Sequence, residues 1–194
     1  LVDRPDVSHY RLALHLTTAF ITFAFSFWVA LDLMFPKKEI IDSRFRNIIG
    51  VGLIVLVLQI VWGAFVAGLD AGFIHNHWPL MNESTLMHET VLIEQTPVWK
   101  NFIQGKSGVQ FVHRYLAYLV VAFIAYIYYK SRRMQLTALQ QNGINSLIII
   151  VFIQFVLGVF TLIFAVPVWL GVTHQIFAFF LLGAMTFVLH RFSK

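Results

Sequence analysis

Three histidines stand inside long apolar stretches, and each is followed four residues later by alanine: His15 and Ala19, His113 and Ala117, His174 and Ala178. On a helix, positions i and i+4 share a face, one above the other. A histidine with a small side chain one turn deeper makes an axial ligand beside a slot for a flat macrocycle. An ionisable group inside a membrane is costly and by default marks function. The bland alternative is a core histidine bonded to a neighbouring helix. It serves for any one of the three, but it does not explain one local pattern used three times.

Two histidines facing each other at one depth can fill both axial positions of a haem iron, an arrangement suited to electron transfer rather than oxygen binding. The expected pair is His113 and His174, while His15 has no evident partner in this chain. Arg11, one turn from His15, and Arg114, beside His113, are candidates to pair with haem propionates. Their alternative role is to cap helix ends in the headgroup region. Gln110 and Gln175 are further hydrogen-bonding candidates for propionates or ligand histidines. His9 is expected at a helix entrance, and His190 is expected to snorkel beside Arg191. His75, His77 and His88 lack the cysteines or regular spacing that would mark a metal site.

The elements that must position these groups are long and apolar. The chain has 194 residues, 59% of them hydrophobic and 12% charged, with mean hydropathy +0.77. Soluble domains carry about 25% charged residues. Five stretches, at about 10–33, 48–67, 109–129, 146–166 and 169–190, approach the ~20 residues that cross a bilayer. The fold expected is an all-α integral membrane protein with five transmembrane helices. The last four form a four-helix bundle of two pseudo-repeated hairpins.

The repeat is written in the sequence: Gln59, Gly63 and Phe65 in the second stretch match Gln154, Gly158 and Phe160 in the fourth. Both read Gln-x-x-x-Gly-x-Phe, and each is followed by a stretch with its histidine and alanine. A pseudo-twofold axis would set His113 opposite His174. Ordinary packing by small and polar residues accounts for Gln-x-x-x-Gly, but it does not predict the repetition.

Charge gives orientation. Of the 14 basic residues, nine (Lys37, Lys38, Arg44, Arg46, Lys130, Arg132, Arg133, Arg191 and Lys194) fall on one side if the spans alternate. The positive-inside rule then puts the N-terminus outside and the C-terminus inside. The net charge of +5 therefore reads as topology and not as nucleic-acid binding. Inner loops are expected at 35–47 and 130–145, and an outer connection at 69–108. That outer connection is rich in Trp, His and Pro and is of a length usually functional, often a lid. The absence of cysteine excludes disulfides, iron–sulfur clusters and thiolate haem ligation within the chain. A start at Leu1 and a first span beginning almost at once lead us to expect a partial chain.

With these residues in view, the chain resembles the haem A synthase family. The matching segments are Ser8-His-Tyr-Arg-Leu-Ala-Leu-His15-Leu, Gly63-Ala-Phe-Val-Ala-Gly-Leu-Asp-Ala-Gly72 and Asn76-His-Trp-Pro-Leu-Met81. Val109-Gln-Phe-Val-His113-Arg, Gln154-Phe-Val-Leu-Gly158 and His174-Gln-Ile-Phe-Ala178 follow in order. The lack of a cysteine pair in the outer loops is similar to the mitochondrial and proteobacterial type.

The resemblance implies an eight-helix protein of two halves. Residues 1–34 would be the last helix of the first half and 48–194 the second, haem-binding half. It implies a b-type haem held by His113 and His174, with Arg114, Gln175, Ala117 and Ala178 around it. His15 and Arg11 would belong to a pocket for the substrate, haem O. The implied reaction takes a ring methyl of haem O to the formyl group of haem A for cytochrome oxidase assembly, with electrons passing through the second-half haem. No acid here fits a catalytic role, since Asp32 and Asp70 lie at span ends, so the fragment alone is expected to be inactive. Implied partners are haem O and its synthase, an electron-transfer partner that the residues do not identify, and the lipid bilayer of a bacterial plasma membrane or mitochondrial inner membrane. A homo-oligomer is compatible. The rival readings are a b-type cytochrome anchor, which usually places haems near both faces, and a transporter, which calls for broken helices and membrane acids.

Overall fold

The computed structural model describes residues 8–35 and 42–193. Lys37, Lys38 and Lys194, three of the nine basic residues used for orientation, lie outside the described residues. Five helices of 24–26 residues are long and apolar enough to cross a membrane. They are α1 (His9–Met34), α2 (Ser43–Gly68), α4 (Lys106–Ser131), α5 (Ala138–Ile163) and α6 (Val168–Arg191), with a single turn, α3 (Asn101–Gln104), before α4. No strand occurs among the described residues. The chain is an all-α, multi-pass membrane protein.

Three of the long helices start on a local side-chain cap. The Ser8 hydroxyl accepts from the Arg11 N–H at 3.4 Å, and α1 stops at Met34, two residues before Pro36. Asp42 accepts from the Arg44 N–H at 2.7 Å, so α2 begins inside the stretch predicted as the inner loop 35–47. The second predicted inner loop, 130–145, is likewise shortened. Thr137 and Gln140 form a reciprocal capping box, with Thr137 accepting at 3.3 Å and Gln140 accepting at 3.0 Å, and α5 starts at Ala138. The polar first turns (Gln140, Gln141, Asn142) look like loop by composition, but satisfied backbone donors decide the boundary.

The helices form two hairpins, α2 with α4 and α5 with α6, joined along α4 and α5, while α1 packs on α2 and α6. Call the end carrying the 69–105 connection the upper end. The buried apolar core fills the lower half: Phe45, Ile49 and Leu56 of α2, Val120, Ile124 and Ile127 of α4, Ile144, Leu147 and Val151 of α5, and Leu182, Met185 and Val188 of α6. Toward the upper end this closes less tightly, and residues 111–118 of α4 and 153–159 of α5 are all only half-buried.

His190 departs from expectation. It does not snorkel but is wholly buried, 3.0 Å from Asp32 of α1, with Trp28 edge-on at 5.0 Å. A carboxylate on the neighbouring helix gives the imidazole a polar partner inside the bundle, so it has no need to reach the interface. With Phe23 against Phe179 at 3.8 Å, this contact ties α1 to α6.

The 69–105 connection is ordered by short helical turns (Ala71–Phe73, Glu89–Leu92, Val98–Lys100) and by side chains that serve its backbone. Asn101, fully buried, donates to Leu92, Gln95 and Val98 carbonyls at 2.9–3.1 Å and accepts from the Gln95 N–H at 2.8 Å. Asn76 donates to the Gly72 and Leu162 carbonyls at 2.8 and 2.7 Å, fastening the connection to the end of α5.

Candidate functional site

The repeated Gln-x-x-x-Gly builds the same object twice. In the first hairpin, Gln59 Nε2 of α2 stands 3.4 Å from His113 Nε2 of α4. A Cβ on Gly63, one turn above, would meet His113 Cε1 at 3.0 Å. In the second, Gln154 Nε2 of α5 stands 3.4 Å from His174 Nε2 of α6, and a Cβ on Gly158 would meet His174 Cε1 at 2.9 Å. Each imidazole lies in a notch that only glycine leaves open, with a carboxamide one turn below. The two cradles match to within 0.3 Å.

Each cradle has polar capacity to spare. His113 Nδ1, His174 Nδ1, Gln59 Oε1 and Gln154 Oε1 are buried without a hydrogen-bond partner among the described residues. Buried polar atoms are nearly always satisfied. A neutral imidazole offers one lone-pair nitrogen, the form in which histidine binds metals. Two such rings, each with an unused buried nitrogen, have the donor chemistry that a haem iron takes.

The remaining expected residues fall into two groups. Ala117 and Ala178 lie half-buried one turn below their histidines, as the i+4 spacing requires. Arg114 instead serves the connection: its guanidinium donates to the His77 and Leu80 carbonyls at 2.9 and 3.1 Å and to the His75 carbonyl. Only its buried Nε lacks a partner among the described residues. Gln110 does the same work, donating to the Ala71 carbonyl at 3.0 Å and to the Ile74 carbonyl. Its amide N–H groups are therefore engaged by backbone instead of facing a propionate. Gln175, next to His174 in sequence, is about 100° round the helix. It is exposed in a groove with Phe20, Val172, Ile176 and Phe179, facing α1. His15 and Arg11 are exposed together on α1, away from both cradles. His9 is half-buried with Nε2 3.0 Å from the Ile103 carbonyl, pinning the start of α1 to the connection.

His75 and His88 instead join a polar cluster that caps α4. Ser107 donates its hydroxyl to Glu94, whose carboxylate also accepts from the Ser107 N–H at 3.2 and 3.3 Å. The same hydroxyl lies 2.9 Å from His75 Nε2 and 2.7 Å from Thr90 Oγ1, and His88 Nδ1 is 2.8 Å from Thr90 Oγ1. The His75 and His88 rings lie 4.2 Å apart. Burial pulls the His75 pKa below its ordinary value, helped by the neighbouring His88 and Arg114 and opposed by Glu94. Glu94 is thirteen residues from Ser107, too far along the chain for any local capping signal to announce it.

Residues 1–186 match the family described as COX15-CtaA, Cytochrome oxidase assembly protein. The chain is 60% identical over 195 residues to a protein named heme A synthase from Flavobacterium johnsoniae, covering all of this chain and 57% of that relative. Its counterpart of the same name from Flavobacterium psychrophilum is 55% identical, again over 100% of this chain and 57% of the relative. The one from Wolbachia pipientis wMel is 34% identical over 100% and 54%. The chain thus spans a little over half the length of the curated relatives it matches.

Proposed function

The chain belongs to the COX15-CtaA family of cytochrome oxidase assembly proteins, and from that premise we propose that it is part of a haem A synthase holding a b-type haem between His113 and His174. The observation that carries this reading is the pair of matching cradles, each a histidine in a glycine notch with an unused buried ring nitrogen. A haem held by these two histidines would supply one-electron transfer. The chain's own residues do the rest. Gly63 and Gly158 admit the rings, Gln59 and Gln154 hold them, and Ala117 and Ala178 leave room one turn below. Arg114 and Gln110 fasten the connection over the upper end, and the apolar lower half excludes water.

On this reading residues 48–194 are one haem-binding half, and 1–34 belong to a first half. His15 and Arg11, exposed together on α1, face that half and serve the substrate, haem O, supplied by its synthase. The whole protein oxidises a ring methyl of haem O to the formyl of haem A. No carboxylate among the described residues is hydrogen-bonded to His15, and the 194 residues by themselves do not carry out the oxidation. The protein sits in a bacterial plasma membrane, with the connection on the outer side and nine of the fourteen basic residues inside.

The test is the visible spectrum of the detergent-purified protein beside His113→Ala and His174→Ala. A six-coordinate low-spin b-type spectrum lost in both variants is the expected result. Retention of that spectrum in both would overturn the ligand assignment. Its loss only in His15→Ala would exchange the two roles.

A further inference from the structure

We propose that Gln59 and Gln154 are positioning residues that fix the orientation of the two imidazoles and set how strongly each donates electrons to its metal. This rests on the reading of His113 and His174 as haem ligands.

The geometry is the same at both. Each glutamine lies one helical turn below its glycine, and its carboxamide lies 3.4 Å from a ring nitrogen. Each has a buried Oε1 with no partner among the described residues, and each ring has a second buried nitrogen in the same state. The two ends of a carboxamide exchange by a half-turn. That half-turn lets Oε1 accept from the ring N–H and leaves the other ring nitrogen as a lone pair. The carboxamide thereby selects the tautomer, and its hydrogen bond raises ligand basicity, as partners of metal-bound histidines do. Glycine alone would leave each ring free to turn in its notch. The pairing of Gln with Gly in both copies is what a built orientation requires, and neutral packing does not account for the unused Oε1 atoms.

A more basic ligand favours the oxidised metal. Loss of the acceptor should raise the haem midpoint potential, and a stronger acceptor should lower it. The experiment is a spectroscopic redox titration of the haem-loaded full-length protein, comparing wild type with Gln59→Leu, Gln59→Glu, Gln154→Leu and Gln154→Glu at alkaline pH, where the introduced carboxyls are ionised. We expect the leucine variants to shift upward and the near-isosteric glutamate variants downward, with the low-spin spectrum retained. Opposite shifts from one position are not produced by loosened packing. Unchanged potentials, or shifts of one sign in both variants at a position, would overturn the proposal while leaving ligation intact. Failure of the wild type to show a bis-histidine spectrum would instead overturn the ligation reading beneath it.

Discussion

The smallest parts of this molecule that matter are two missing side chains. A methyl group at position 63 would stand 3.0 Å from the His113 ring, and one at 158 would stand 2.9 Å from the His174 ring. Both distances fall inside normal contact, and both rings are held by a carboxamide, so the ring must give way. Gly63→Ala and Gly158→Ala should therefore fold, since alanine favours a helix by about 1 kcal/mol over glycine, yet bind haem less well. A haem-to-protein ratio reduced several-fold with unchanged helical circular dichroism is the expected result, and an unchanged ratio would show that the notches are incidental. The repeat Gln-x-x-x-Gly was readable in the sequence, but what the glycines face was not. Spacing along one helix says which residues share a face. It does not say which residue of another helix meets that face. The same limit hid Arg114 and Gln110, whose donors go to carbonyls of residues 71–80, more than thirty positions away in the chain.

At the scale of elements, the five spans were legible from hydropathy, and their lower ends were misjudged where polar residues continue a helix. Capping chemistry set those ends, as Thr137 with Gln140 shows. The 69–105 connection was legible as unusual and no further, because its order comes from side chains such as Asn101 and Glu94 binding backbone or hydroxyl groups out of local register. Its His75 makes a pH prediction. The pKa of His75 in the folded chain lies below the ordinary 6.5, so the unfolded connection binds more protons in the window beneath that value. The stabilisation is present above about pH 6.5 and is lost as pH falls through the lowered value. The facing groups are His88, Arg114 and Glu94. Amide hydrogen exchange across residues 75–94, corrected for intrinsic rates, should quicken on acidification in the wild type and respond less in His75→Gln. An equal response in both would remove His75 as the cause.

At the scale of the whole molecule, α1 has two characters. One side packs on α2 and α6 through Phe20, Phe23 and the Asp32–His190 contact. The other exposes Arg11, Leu14, His15 and Ala19. Asp32→Leu should loosen the lower end of α1 by about 1–3 kcal/mol, the cost of removing one partner of a buried hydrogen bond. The check is hydrogen exchange in residues 24–34, which should quicken without change in α4 or α5. A uniform response across the bundle would mean that Asp32 supports the fold in general and does not tie α1 in particular.

The lower half of the bundle has an electrical consequence. From Phe45 to Val188 its core is apolar but for Thr186, and hydrated ions are costly to bring into such a medium. Below the histidine layer the protein therefore insulates much as lipid does. It can sit in an energised membrane without short-circuiting it.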